Sequence, residues 1–178
     1  MTARLHRRSA VAGAALGAAL PALYAEAVRR LFRFNIARVN AGDTRPLVRS
    51  YADDVVFTFP GTSSWGGTFS GRAAVQAWVG RFVEAGLRLE PNDIVVSGPP
   101  WNTRACLRFT DALTLPDGTQ PYRNAGVIYA RIAWGRLKAY EVHEDTDRTV
   151  AFDAYLLEHD LPGAPPFPSV QDAGAPRA

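Results

Sequence analysis

"LRFTDALTLPDGTQPYRNAGVIYARIAWGRLKAYEVHED", residues 107–145, decides the fold. Its apolar residues recur at every second position, and "LPDGT" and "AWG" break the alternation with glycines where a turn needs positive φ. The stretch reads as three strands joined by hairpin turns. The first of them reaches back to Trp101, and "LRLEPNDIVVSG" (87–98) precedes it, so four antiparallel strands follow one another. Within 107–115, Leu107, Phe109 and Leu113 share one face, and Arg108, Thr110 and Thr114 share the other. Asp111 falls with the apolar set. Either the strand is bulged or Asp111 pairs with an arginine such as Arg131, or this apolar face lines a pocket in which the carboxylate works.

The period changes upstream. Val28, Leu31, Phe32, Ile36 and Val39 recur at helical spacing, and Asn40-Ala41-Gly42 ends that helix. "TRPLVRSYA" is a short second helix with Pro46 early, where its missing N–H costs little. "DDVVFTFPG" is a strand, "TSSWGGTFSG" a loop with a short edge piece, and Gly71 to Gly86 a helix burying Val75, Trp78, Val79, Phe82 and Val83. "DRTVAFDAYLLEHD" closes the chain as a helix. Helices followed by long antiparallel strands give an α+β domain: a cone-shaped half-barrel in which a curved, mostly antiparallel sheet wraps around the N-terminal helices.

Composition narrows the function classes. The chain has 178 residues, 47% of them hydrophobic and 21% charged, with a net charge of +3. This suits one globular domain with extensions. Arg4, Arg7, Arg8, Arg29, Arg30, Arg33 and Arg38 are scattered along helix rather than packed in a basic tract, which reads as a solvated face and not as a nucleic-acid site. The single cysteine, Cys106, excludes an internal disulfide and a cysteine-based metal cluster, and its mid-strand position reads as inert packing. Residues 1–27 form an Ala-rich extension. A basic start, Arg7-Arg8 and the small-x-small site Ala25-Glu26-Ala27 fit a signal or membrane anchor, yet the run continues into an amphipathic helix as a plain extension would. The expectation is a cytoplasmic protein, the alternative one exported or anchored through residues 1–27. Residues 28–160 form the domain, and 161–178, rich in Pro, Gly and Ala, a disordered tail.

"VNAGDTRPLVRSYADDVVFTFPG", the helix from Gly71 to Gly86 and the terminal "GRLKAYEVHED" strand resemble the nuclear transport factor 2-like superfamily, and more closely its SnoaL-like members. The resemblance covers roughly residues 28 to 158. It implies the fold but not one function, since such domains include polyketide cyclases, isomerases, epoxide hydrolases, dehydratases and silent binding modules. The catalytic carboxylate, oxyanion tyrosine and protonated aspartate of ketosteroid isomerase-like members fall at Phe59, about Asn35 and near Val127, so steroid-type isomerisation is not expected. The Arg-x-Asp and second Asp of limonene-epoxide-hydrolase-like members fall at Phe109, Asp111 and Val142, so Asp111 alone survives.

The site expected from these residues centres on Asp111, whose pKa an apolar pocket would raise toward neutrality. The register matching the family sends Tyr140, Val142 and Glu144 inward, with Glu144 near the cone mouth as a second catalytic carboxyl. Trp65 could cap the mouth, Tyr129 could hydrogen-bond a ligand oxygen, and Asn35, Phe109 and Tyr140 could touch the ligand; Asn124 is a weaker candidate. Glu141, His143 and Asp145 resemble a metal cluster but alternate to the outer face, where a homodimer contact is expected, so the site is read as free of metal and cofactor. The partner is a small, mostly apolar, oxygenated compound. It occupies a cavity of roughly 300 to 1,000 Å³, the usual range of ligand sites. Cofactor-free acid/base chemistry (isomerisation, cyclisation, dehydration or epoxide opening) is the leading function, and a non-catalytic binding or dimerisation module the alternative.

Overall fold

The computed structural model describes residues 3–166, with side chains from residue 20 onward. Four helices and six strands follow in the order α1 (Ala3–Asn40), α2 (Arg45–Ser50), β1 (Tyr51–Phe59), β2 (Gly67–Ser70), α3 (Arg72–Glu84), β3 (Leu87–Ser97), β4 (Thr103–Leu113), β5 (Tyr122–Ala133), β6 (Arg136–Glu144) and α4 (Thr146–Glu158). The strands form one curved sheet in the order β2-β1-β6-β5-β4-β3, antiparallel throughout except for β1 beside β6, and it stays open rather than closing into a barrel.

Local chemistry sets the joints of this fold. α1 ends where Gly42 takes a φ of 83° and the Asp43 amide returns to the Arg38 carbonyl at 2.9 Å, a left-handed cap that glycine adopts without strain. β5 and β6 are joined by Trp134-Gly135 alone, both at positive φ, which matches the right-handed twist of the flanking strands. Asp145 caps α4, its carboxylate accepting from the amides of Asp147 and Arg148.

β3 is an edge strand, and α1 protects it. The Asn40 side chain donates to the Leu89 carbonyl at 2.8 Å and accepts from the Leu89 amide at 3.0 Å, completing the ladder as a strand neighbour would. Arg29 donates to the Ile94 carbonyl further along. Such cover blunts an edge that would otherwise pair with another chain. The bulge lies here, between Pro91 and Asp93, and not at Asp111: β4 pairs with β5 without interruption from Thr103 to Leu113.

The ends differ from the sequence reading. α1 passes unbroken through residue 27, and the Tyr24 hydroxyl bonds the Thr103 hydroxyl at 2.7 Å, so contacts with the sheet begin before residue 28. Leu31, placed by spacing in the buried stripe, is 44% exposed. Residues 161–166 of the expected tail dock instead: Leu161 and Ala164 pack on the core, and the Gly163 carbonyl accepts from buried Arg81. Residues 167–178, and residues 1 and 2, lie outside the described residues. No helix among the described residues is long and apolar enough to cross a membrane.

Candidate functional site

β4 alternates without fault, so Ala105, Leu107, Phe109, Asp111 and Leu113 all turn to the concave face and are buried. That face and the helices above it enclose a cavity of about 130 Å³ that Asp111 touches. The volume is smaller than expected because aromatic rings fill the cone. Phe57 stacks on Tyr140 at 4.4 Å and meets Trp78 edge-on at 4.6 Å, while Phe59 and Phe82 flank Trp78.

Asp111, Tyr122 and Glu144 stand together at one end of this cavity. Asp111 is 5% exposed, and its Oδ1 has no hydrogen-bond partner. Neither Arg131, which is exposed, nor any other lysine or arginine lines the cavity among the described residues. The Tyr122 hydroxyl donates to Glu144 Oε1 at 3.2 Å. Its own hydroxyl oxygen accepts from the Asn124 carboxamide at 3.3 Å, and its ring stacks on Phe152 at 4.3 Å. Asn124 therefore holds the tyrosine, and its remaining bonds run to backbone at Asp145 and Ala125.

Gly126 makes room beside Glu144. Phe109, Gly126 and Glu144 are cross-strand partners on β4, β5 and β6. A Cβ on Gly126 would lie 2.8 Å from the Glu144 Cβ, 3.0 Å from the Phe109 ring and 2.5 Å from the His143 carbonyl oxygen. The missing side chain lets Phe109 and Glu144 approach each other over the strand between them.

Electrostatics follow from the burial. Desolvation raises the Asp111 carboxyl to about 6, against the opposing pull of the nearby Tyr122 hydroxyl. Desolvation and the Asp111 charge raise Glu144 to about 8. Burial and the two carboxylates push Tyr122 well above its ordinary value, so it stays a donor. The two carboxyls titrate as a coupled pair, both held above the ordinary carboxylate range by desolvation.

The remaining expected residues divide by the sheet face they occupy. Tyr140 is inward and lines the cavity, its hydroxyl 3.1 Å from that of Tyr51. Asn35 is buried in the wall with an unpartnered Oδ1. Trp65 lines the cavity as part of its buried wall. It is 2% exposed and pinned, with the Arg81 guanidinium 3.8 Å above its ring and its carbonyl accepting from Trp78 at 3.0 Å. Tyr129 is a correction. It pairs with exposed Cys106 and exposed Glu141 and so points to the outer face, away from the cavity. Cys106 is not packed inside either: it is exposed, on the β4 face it shares with Arg104, Arg108 and Thr110. His143 lies 3.5 Å from Glu141 on that outer face, while Asp145 is occupied with its cap and with Arg148.

The sequence reading missed Tyr122. Tyr122 shares the inward face of β5 with Asn124, Ile128 and Ala130, opposite to Tyr129, and the mixed composition of both faces hid it in the sequence.

A family model described as a SnoaL-like domain matches residues 19–140. The chain belongs to the SnoaL-like family. No curated protein matches it. Among solved structures, an NTF2-like protein of unknown function from Burkholderia pseudomallei is 24% identical over 68% of this chain and 93% of that one, with a TM-score of 0.58. Bal32a from a soil-derived mobile gene cassette is 22% identical over 74% and 97%, with a TM-score of 0.56. TerC, co-crystallized with polyporic acid, is 23% identical over 74% and 95%, with a TM-score of 0.54. These likenesses establish the nuclear transport factor 2-like fold of this SnoaL-like domain.

Proposed function

We propose that this SnoaL-like domain binds a small, mostly apolar, oxygenated compound in its cone and moves a proton on it with Asp111 and Glu144. One observation carries the reading: Asp111 lines the cavity, is buried among mostly apolar side chains, has no cationic partner among the described residues, and leaves its Oδ1 without a hydrogen bond. A structural carboxylate in such a place would be paired, because an isolated buried charge is costly.

The two carboxyls suit opposite tasks. Asp111, the more acidic, is the base that takes a proton from a carbon or hydroxyl of the ligand. Glu144, which keeps its proton at neutral pH, delivers one to a developing oxyanion, with the Tyr122 hydroxyl as a neighbouring donor. Isomerisation, cyclisation, dehydration and epoxide opening all use this pair of transfers without a cofactor.

A panel of linear and cyclic ketones in heavy water tests the proposal, with deuterium uptake beside the carbonyl as the readout. The wild-type protein accelerates exchange for part of the panel, and Asp111→Asn loses roughly 10²- to 10⁴-fold of that acceleration. Equal rates in the two proteins would refute the role of Asp111. A non-catalytic binding module is the second reading, favoured by the apolar Phe109 and Val142 that occupy two of the three positions where epoxide-opening relatives carry charge.

We propose, separately, that the outer sheet face with Arg108, Glu141 and His143 forms a homodimer contact, since its mixed charges suit a two-fold partner.

A further inference from the structure

Beside the first cavity lies a second, of about 210 Å³, between α1 and the end of the β5–β6 hairpin. Tyr24, Ala27 and Leu31 border it on one side, Ile132 and Gly135 on the other. Phe32, Asn35, Leu47 and Leu137 line both cavities, so the two adjoin at this layer of side chains. Asn35 sits in that layer, 7% exposed, with its carboxamide oxygen unpaired. An unpaired buried oxygen costs free energy that a donor on a bound molecule offsets.

Size and polarity point the same way. The first cavity alone is small for a ligand site, whereas the two together reach the lower end of the roughly 300 to 1,000 Å³ range. The second is walled almost wholly by apolar groups. Leu31, which helical spacing assigns to the core, faces this space instead of packed atoms.

We infer that the two chambers hold one elongated molecule. Its oxygenated end lies at Asp111, Tyr122 and Glu144, a hydrogen-bond donor lies near Asn35, and an apolar tail lies in the chamber beside α1. The placement of the oxygenated end rests on the function proposed above; the tail chamber stands on its own geometry.

A homologous series of straight-chain 2-alkanones is the probe, with binding followed by the fluorescence of Trp65 and Trp78 in the first chamber. Wild-type affinity climbs about fourfold per added methylene beyond the length that fills the first chamber. Ala27→Phe, at an exposed helix position, occupies the second chamber and stops the climb early while short ketones bind as before. Leu31→Ala removes tail contacts and weakens only the long ketones. A wild-type profile flat in chain length, no binding of any ketone, or an Ala27→Phe profile matching wild type overturns the inference. Deuterium exchange can fail with the length profile intact, and the length profile can fail with exchange intact, so the two readings are separable.

Discussion

Replacing Asp111 by Asn should stabilise the protein at neutral and alkaline pH, against the usual cost of changing a buried polar residue. In the folded state burial raises the Asp111 carboxyl to about 6, above the 3.8 of an ordinary aspartate that an unfolded chain approaches. The folded protein therefore prefers the protonated acid. Stability is highest below the unfolded value, falls as pH rises between the two, and stays reduced above the folded value. At 1.36 kcal/mol per pH unit, the ionised form costs on the order of 3 kcal/mol above that window. Glu144, raised from 4.5 to about 8, extends the decline to higher pH. Asn keeps the shape and removes the charge, and it lightens the burden on Glu144, whose ionisation Asp111 opposes. The net gain is smaller than the full figure, because the new amide N–H₂ needs acceptors in a mainly apolar cavity. For a chain of this size, 1 kcal/mol moves the melting temperature by roughly 2–4 °C. Thermal melts from pH 5 to pH 9 provide the assay. Wild type should melt at falling temperature as pH rises, and Asp111→Asn should show a shallower decline with an equal or higher melting temperature at pH 7. A drop of several degrees at pH 7, or an unchanged pH slope, would mean that Asp111 has a structural partner and that the proton-transfer reading is wrong.

Other perturbations test the neighbours. Gly126→Ala forces a methyl against the Glu144 Cβ, the Phe109 ring and the His143 carbonyl, so it should destabilise by roughly 1–3 kcal/mol in denaturant melts; a neutral result would mean that β5 can shift freely. Tyr122→Phe removes the donor to Glu144 Oε1 and should move the Glu144 carboxyl still higher, seen as an alkaline shift of its resonance in an NMR titration; an acid shift refutes the assigned bond. Light scattering should report a dimer that loosens with salt, since the outer face pairs opposite charges, and a salt-insensitive monomer at high concentration counts against that contact.

Strand parity was legible in the chain where one face was clearly apolar. Leu107, Phe109 and Leu113 carry Asp111 inward with them, and Tyr140 and Val142 carry Glu144, because a side-chain period of two leaves no other choice once the face is known. β5 offered no such lead. Its inward set is Tyr122, Asn124, Gly126, Ile128, Ala130 and Ile132, and its outward set includes Val127 and Tyr129, so apolar and polar residues fall on both faces. Only pairing with β4 and β6 assigned it, and that pairing brought Tyr122 to the carboxyls and turned Tyr129 away. Tertiary structure alone also set the shape of the interior. How far aromatic rings fill the cone, where Gly126 opens it, and how α1 leaves a second chamber beside the hairpin all depend on side chains meeting from elements distant in sequence, and no local pattern records those distances.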